Sequence, residues 1–181
     1  MDKIRILIAD DHKLVREGIE SMLSGVEDVE IVGLASSGEE AINIARDEKP
    51  HVVLMDIIMP GMKGIEASRW IKENDGSVKV IIVTMEINKD YVSAAIKSGV
   101  DGYLPKDIGK ETLLEAIRAV HKGEQYFYDA VKKLIFEDFY AVQKVKSPTK
   151  AVPNQLTKRE EEVLALVAAG KSNRDIAEML S

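Results

Sequence analysis

The sequence predicts an α/β protein: a doubly wound, five-stranded parallel sheet, then a helical linker and a partial all-α helix-turn-helix. Three observations carry this. Short apolar runs alternate with amphipathic helical stretches to about residue 121. Three of these runs are apolar almost throughout, and such strands want cover on both faces, as in a parallel sheet. Strands one, three and four end in acidic or hydroxyl side chains, and a lysine lies just past the fifth, all at the edge where doubly wound sheets bind ligands.

In chain order, "IRILIAD" (4–10) is the first strand and 12–24 its helix. "VEIVGLA" (29–35) is the second, and Ser37 is placed to cap the helix 38–48. "HVVLMD" (51–56) precedes a helix over 64–74, and "VKVIIVT" (78–84) precedes one over 88–98. The latter starts at Asn88, gathers Val92, Ala95 and Ile96 on one face and stops near Gly99. "DGYLP" (101–105) is the fifth strand, and Gly109 opens a helix over 110–121 whose apolar face is Leu113, Leu114, Ile117 and Val120.

The pattern then changes. "DAVKKLIFEDFYAVQ" (129–143) is an amphipathic helix, and "KVKSPTKAVPNQ" (144–155) has no period and linker composition. In "LTKREEEVLALVAAG", Thr157 and Glu160 form a capping box, Val163, Leu164, Leu166 and Val167 an apolar face, and Gly170 a stop. "KSNRDIAEMLS" opens a last helix at Ser172, with Ile176, Ala177, Met179 and Leu180 as its stripe.

Composition narrows the function classes. Apolar residues make up 45% and charged ones 31%, the balance of a globular protein rather than a disordered one. No apolar run spans a bilayer and no secretory leader precedes the first strand, so a cytoplasmic protein without membrane partners is expected. Without cysteine there is no disulfide or thiolate chemistry, and His12, His51 and His121 are too scattered in sequence to suggest a zinc cluster. The net charge is -6, yet residues 144–181 hold 7 basic and 5 acidic side chains. A slightly basic tail on an acidic body fits proximity to nucleic acid, as well as an ordinary solvated surface.

The chemistry gathers at the strand ends. Asp10 and Asp11 follow the first strand, Asp56 the third, Thr84 the fourth and Lys106 the fifth. Three carboxylates at one edge repel unless a cation intervenes, and a hard, oxygen-seeking ion such as Mg2+ suits them. A hydroxyl and an ammonium suit phosphoryl oxygens. Together these residues make a cradle for phosphoryl transfer onto a carboxylate, with Asp56 the acceptor because it lies between the strand-one acids and the Thr84/Lys106 side. A phosphatase would want a second acid near Asp56, but Ile57 and Ile58 follow it; a nucleotide site would want a glycine-rich turn where "DDHKL" stands.

In "ILIADDH", "VVLMDIIMPGMKG", "VIIVT" and "GYLPKD", residues 3–121 resemble the receiver domain of two-component response regulators. The resemblance implies a flavodoxin-like fold and a domain that is not itself an enzyme, taking a phosphoryl group on Asp56 from a sensor histidine kinase. It implies Mg2+ held by Asp10, Asp11, Asp56 and the backbone carbonyl of Ile58. Lys106 contacts the phosphoryl group, Thr84 moves to bind it, and Tyr103 falls at the switch-aromatic position. A receiver acting as a phosphorylation-independent interaction module is the alternative. Two departures from the pattern are Met85, where a small residue is usual, and Lys63, where an acidic or amide residue is common; Met85 is expected to restrict access to Asp56 or slow hydrolysis.

The stretch from Leu156 through "SNRDIA" resembles the start of the LuxR-type helix-turn-helix of NarL/FixJ regulators. This implies a receiver (1–122), a helical linker (123–155) and the first part of a DNA-binding domain (156–181). It further implies that the recognition helix lies beyond Ser181, so that the intact protein binds promoter DNA, as a homodimer, while this chain takes up phosphate without binding DNA specifically.

Overall fold

The structure, a computed structural model, describes residues 3–136. Its elements run β1 (Ile4–Ala9), α1 (Lys13–Leu23), β2 (Val29–Ala35), α2 (Gly38–Glu48), β3 (Val52–Met55) and α3 (Gly64–Asn74). They continue as β4 (Lys79–Thr84), α4 (Lys89–Lys97), β5 (Gly102–Pro105), α5 (Lys110–His121) and β6 (Tyr126–Phe127), with a helical run over 129–136. The rest of the expected 129–143 helix, the 144–155 linker and the 156–181 helices lie outside the described residues.

All strands are parallel, in the order β2-β1-β3-β4-β5-β6. The order reverses between β1 and β3, and crossing connections of this kind cover the sheet on both faces. Alternate strand residues serve the two layers. Leu7, Val53, Val80 and Ile82 pack with Ala41, Ala67, Ile71 and Ala95 of α2, α3 and α4. Ile6, Ile8, Leu54 and Ile81 pack with Ile19 and Leu23 of α1 and with Leu113, Ile117 and Val120 of α5. This two-sided burial explains the nearly unbroken apolar runs, each fully buried Ile or Leu contributing about 2–3 kcal/mol over exposure.

The caps follow the sequence. The Ser37 hydroxyl accepts from the Glu40 N–H (3.2 Å) and the Asn88 carbonyl oxygen from the Tyr91 N–H (3.0 Å). Gly99, just past α4, sits at φ 81°, the left-handed conformation that glycine takes without strain.

The sheet has six strands, not five. β6 continues it in parallel, pairing Gly102 with Tyr126 and Tyr103 with Phe127. A two-residue strand shows no period, so sequence pattern could not reveal it. What makes it is the free edge of β5, satisfied when the Tyr126 N–H donates to the Asp101 carbonyl (3.0 Å) and the Tyr128 N–H to that of Tyr103 (3.0 Å). Among the described residues no helix is long and apolar enough to cross a membrane.

Two features of the scaffold have measurable consequences. A Cβ on Gly64 would lie 1.7 Å from the Asp56 carbonyl oxygen, so α3 packs directly on the strand end that presents Asp56. Gly64→Ala is expected to lower the urea-unfolding free energy by about 2–3 kcal/mol, the upper range for overpacking. On the opposite sheet edge the His51 and His121 rings lie 5.1 Å apart, and His51 Nδ1 accepts from the Arg5 N–H (3.1 Å). Burial, with His51 beside it, holds the His121 imidazole below its ordinary pKa. The unfolded chain then binds that proton more readily, so stability is complete above about pH 6.5 and falls as pH drops below it. Urea titrations between pH 7 and 5 should show a shallower loss for His121→Gln than for the parent chain.

Candidate functional site

Each candidate residue is delivered by the end of a buried strand. β1 runs into Asp10 and Asp11, β3 into Asp56, β4 ends on Thr84, and β5 leads through Pro105 to Lys106. The register keeps them level: Ala9 pairs with Met55, and Thr84 with Pro105. The Asp56 N–H donates to the Ala9 carbonyl (2.8 Å) and the Lys106 N–H to that of Thr84 (3.0 Å), extending the ladders one step past the strands.

The Lys106 ammonium joins the acids. Its Nζ lies 2.6 Å from Asp10 Oδ2 and 2.8 Å from Asp56 Oδ2, and all three side chains are nearly closed to solvent. Asp56 Oδ1 accepts from the Ile57 N–H (2.8 Å) and Asp10 Oδ1 from the His12 N–H (2.9 Å), while the Arg16 guanidinium donates to the Asp10 carbonyl. Burial raises the Asp56 pKa; Lys106 opposes this and the Asp10 charge adds to it. Burial also works against the Lys106 ammonium, but its hydrogen bonds to Asp10 and Asp56 outweigh that and raise its pKa. One lysine thus compensates two buried carboxylates, one charge short.

Asp11 is the more open acid; its Oδ1 is shielded from solvent and faces the His12 ring, with Nδ1 at 2.7 Å. Ligand atoms of Asp10, Asp11, His12 and Asp56 all lie within 4.8 Å of one another. A net-negative, oxygen-rich cluster with a shielded carboxylate oxygen fits a hard divalent cation. Ile58 lies in the loop between β3 and α3 with its side chain 48% exposed.

Thr84 is buried, and its Oγ1 accepts from the Glu86 N–H (3.2 Å). Tyr103 is also wholly buried, and its hydroxyl donates to the Glu86 carbonyl. The Glu86 residue therefore links the two side chains through its own backbone. Burial pushes the Tyr103 phenol well above its usual pKa, with the Glu86 charge adding to the effect.

The structure thus brings Asp10, Asp11, Asp56 and Lys106 to one cluster, with Thr84 and Tyr103 on the neighbouring strands. Met85 is 72% exposed and shares a surface hollow with His12, Met22 and Lys106. Sequence reasoning missed His12, set aside because its fellow histidines are distant; its place directly after two candidate acids was the available signal. It also missed the Glu86 link, which runs through main-chain atoms and so leaves no mark in residue type.

Burial and the Asp10 neighbour both disfavour the ionised form of Asp56 in the fold, against the opposing pull of Lys106. A raised carboxylate pKa means stability present below the unfolded pKa, about 3.9, and lost as pH rises through the folded value. Asp56→Asn, without divalent cation at pH 7, is expected to raise the thermal midpoint by a few degrees in calorimetry, the shift that about 1 kcal/mol produces.

Comparison with known proteins agrees with this geometry. Residues 6–118 match the response regulator receiver domain, and residues 154–181 match the bacterial regulatory proteins of the luxR family. The uncharacterized transcriptional regulatory protein YxjL of Bacillus subtilis is 42% identical over 180 residues, covering 99% of this chain and 82% of that protein. A crystal structure of a LuxR-family two-component response regulator from Aurantimonas is 31% identical, with a TM-score of 0.71 over 77% of this chain and 99% of that one. A structure of two RcsB dimers bound to two parallel DNAs is 28% identical, with a TM-score of 0.67 over 99% of this chain and 83% of that one. The chain belongs to the two-component response regulators that join a receiver domain to a LuxR-type DNA-binding region and regulate transcription.

Proposed function

We propose that Asp56 is the phosphoryl acceptor, charged by a sensor histidine kinase, and that its phosphorylation controls DNA binding. The observation that carries this reading is the buried Asp56 carboxylate held 2.8 Å from the Lys106 ammonium beside Asp10. An Asp56 oxygen attacks the phosphorus, the bond from phosphorus to the phospho-histidine nitrogen breaks, and that nitrogen keeps the electron pair. Lys106 moves its charge from the carboxylates to the incoming phosphoryl oxygens. Asp10, Asp11, Asp56 and the Ile58 carbonyl would hold Mg2+, which would supply charge neutralisation for those oxygens.

Thr84 and Tyr103 convert the new charge into shape. A phosphoryl group adds about -1.5 to -2 charges and several acceptor oxygens at the strand end. Thr84 is the nearest hydroxyl on the neighbouring strand and turns to donate to them, giving up the Glu86 N–H. Glu86 is thereby freed to shift, and the Tyr103 hydroxyl hydrogen-bonded to its carbonyl shifts with it. The surface formed by α4, β5 and the following loop changes as a result. The proposed limits are a receiver at 1–122, a linker at 123–155 and a helix-turn-helix region from 156; the slight basic excess of 144–181 comes from the linker lysines Lys144, Lys146 and Lys150. Dimerisation and DNA contact are proposed on the likeness to the DNA-bound RcsB dimers.

Incubation with acetyl phosphate and Mg2+ should add one phosphoryl group to the intact mass, and Asp56→Asn should abolish the gain. Turnover of acetyl phosphate with no adduct would overturn the acceptor role. Met85 stands at the mouth of the site, so Met85→Ala should accelerate loss of the phosphoryl group severalfold in a mass-resolved time course; an unchanged rate removes Met85 from that role.

A further inference from the structure

His12 holds the N-cap position of α1, where Ser, Thr, Asp or Asn would serve the helix, yet its side chain makes no capping hydrogen bond. It turns to the acids instead. His12 Nδ1 lies 2.7 Å from Asp11 Oδ1 and 3.4 Å from Asp10 Oδ1. The shorter approach is an ion-pairing distance, and it brings the imidazole nitrogen and the Asp11 oxygen to one point of the acidic cluster. A dication that takes the place of the ring proton meets both atoms as neighbouring ligands. Adjacent ligands on an octahedral cation with bonds of about 2.1 Å lie about 3 Å apart, and the two distances straddle that value. Asp56 completes a group whose four ligand atoms fall within 4.8 Å.

We propose that His12 is a further ligand of the acidic site, and that its imidazole makes the site favour first-row transition-metal dications, Mn2+ as the octahedral case, over Mg2+. The inference rests on the reading of Asp10, Asp11 and Asp56 as the cation site. All-oxygen ligand sets suit Mg2+, whereas an imidazole nitrogen adds affinity for transition metals and little for magnesium. The His12 side chain is 66% exposed, so the ring can complete the coordination without a rearrangement of the core.

The test titrates the full 181-residue chain with Mn2+, reading free ion by electron paramagnetic resonance, and with Mg2+ by displacement of Mn2+. Mn2+ should bind more tightly than Mg2+. His12→Phe and His12→Ala should each weaken Mn2+ by about tenfold or more, the scale on which groups supporting a metal site act, and change Mg2+ by less than about twofold. Using both variants and the Mn2+/Mg2+ ratio cancels any general disturbance of the site by the substitution, which weakens both ions alike. Pulsed resonance on the Mn2+ complex should show nitrogen coupling in the parent chain and none in the variants. Parallel loss of both ions, an unchanged Mn2+ affinity, or absence of nitrogen coupling in the parent overturns the role of His12. If the parent binds neither ion, and Asp11→Asn alters nothing, the acidic site itself fails, and the two failures are thereby distinguished.

Discussion

The Lys106 ammonium, wedged between Asp10 and Asp56, is the interaction on which the rest of this sheet edge depends. Two carboxylates with almost no solvent cannot stay ionised side by side without a cation, and removing the lysine, which leaves both acids uncompensated, costs several kcal/mol. The lysine reaches them because β5 ends level with β4, and the acids meet because β1 and β3 are neighbours at the reversal of strand order. The fold places three strand ends so that one ammonium touches two of the acids. The compensation is incomplete, however: Asp56 remains raised in pKa and Asp11 keeps an oxygen shielded from solvent. That shortfall is a stability cost in the resting chain and the physical reason why the proposed cation and phosphoryl group suit this edge.

Much of this was legible in the sequence for a physical reason. Strands buried on both faces must be apolar throughout, so a carboxylate, hydroxyl or ammonium at the last position announces the ligand edge. Asp10, Asp11, Asp56, Thr84 and Lys106 were visible that way, as were the caps at Ser37 and Asn88, where side-chain chemistry and position coincide. The misses share a different cause. β6 exists because β5 has a free edge, a property of assembled structure and not of the residues Tyr126 and Phe127. The Glu86 link between Thr84 and Tyr103 runs through peptide atoms that every residue has. Tyr103 in particular could not be settled from type and period, since a strand tyrosine can be solvent-facing or wholly buried with equal ease.

Gly64 shows how tightly the acceptor is held. The start of α3 packs so close to the Asp56 carbonyl that no side chain fits, and the Gly64 N–H donates to the Ile57 carbonyl (3.0 Å). The Ser68 hydroxyl then donates to the Gly64 carbonyl (2.7 Å), tying the first turn of the helix to its third residue row. The loop after Asp56 is therefore fixed at both ends, while its middle leaves Ile58 half in solvent. A rigid acceptor with an open loop beside it allows a partner to approach without reorganising the nucleophile, which limits the reorganisation that phosphoryl transfer must supply.

The same arrangement explains why the response to phosphorylation should travel in one direction. On the Asp10 side, the acid is anchored by the His12 N–H, by Lys106 and, through its carbonyl, by Arg16, so a charge change there meets a network with several holds. On the Thr84 side, the hydroxyl is held by a 3.2 Å hydrogen bond from the Glu86 N–H, and the Glu86 carbonyl in turn accepts from the Tyr103 hydroxyl. Met85, between Thr84 and Glu86, is mostly exposed and packs little. With Asp56 as the proposed acceptor, the added charge is expected to move the part of this edge whose restraints are weakest. That is the β4–α4 loop, tied through the Glu86 carbonyl to the buried Tyr103 ring on β5, the pair through which the proposed switch would turn a small hydroxyl movement into a change of surface.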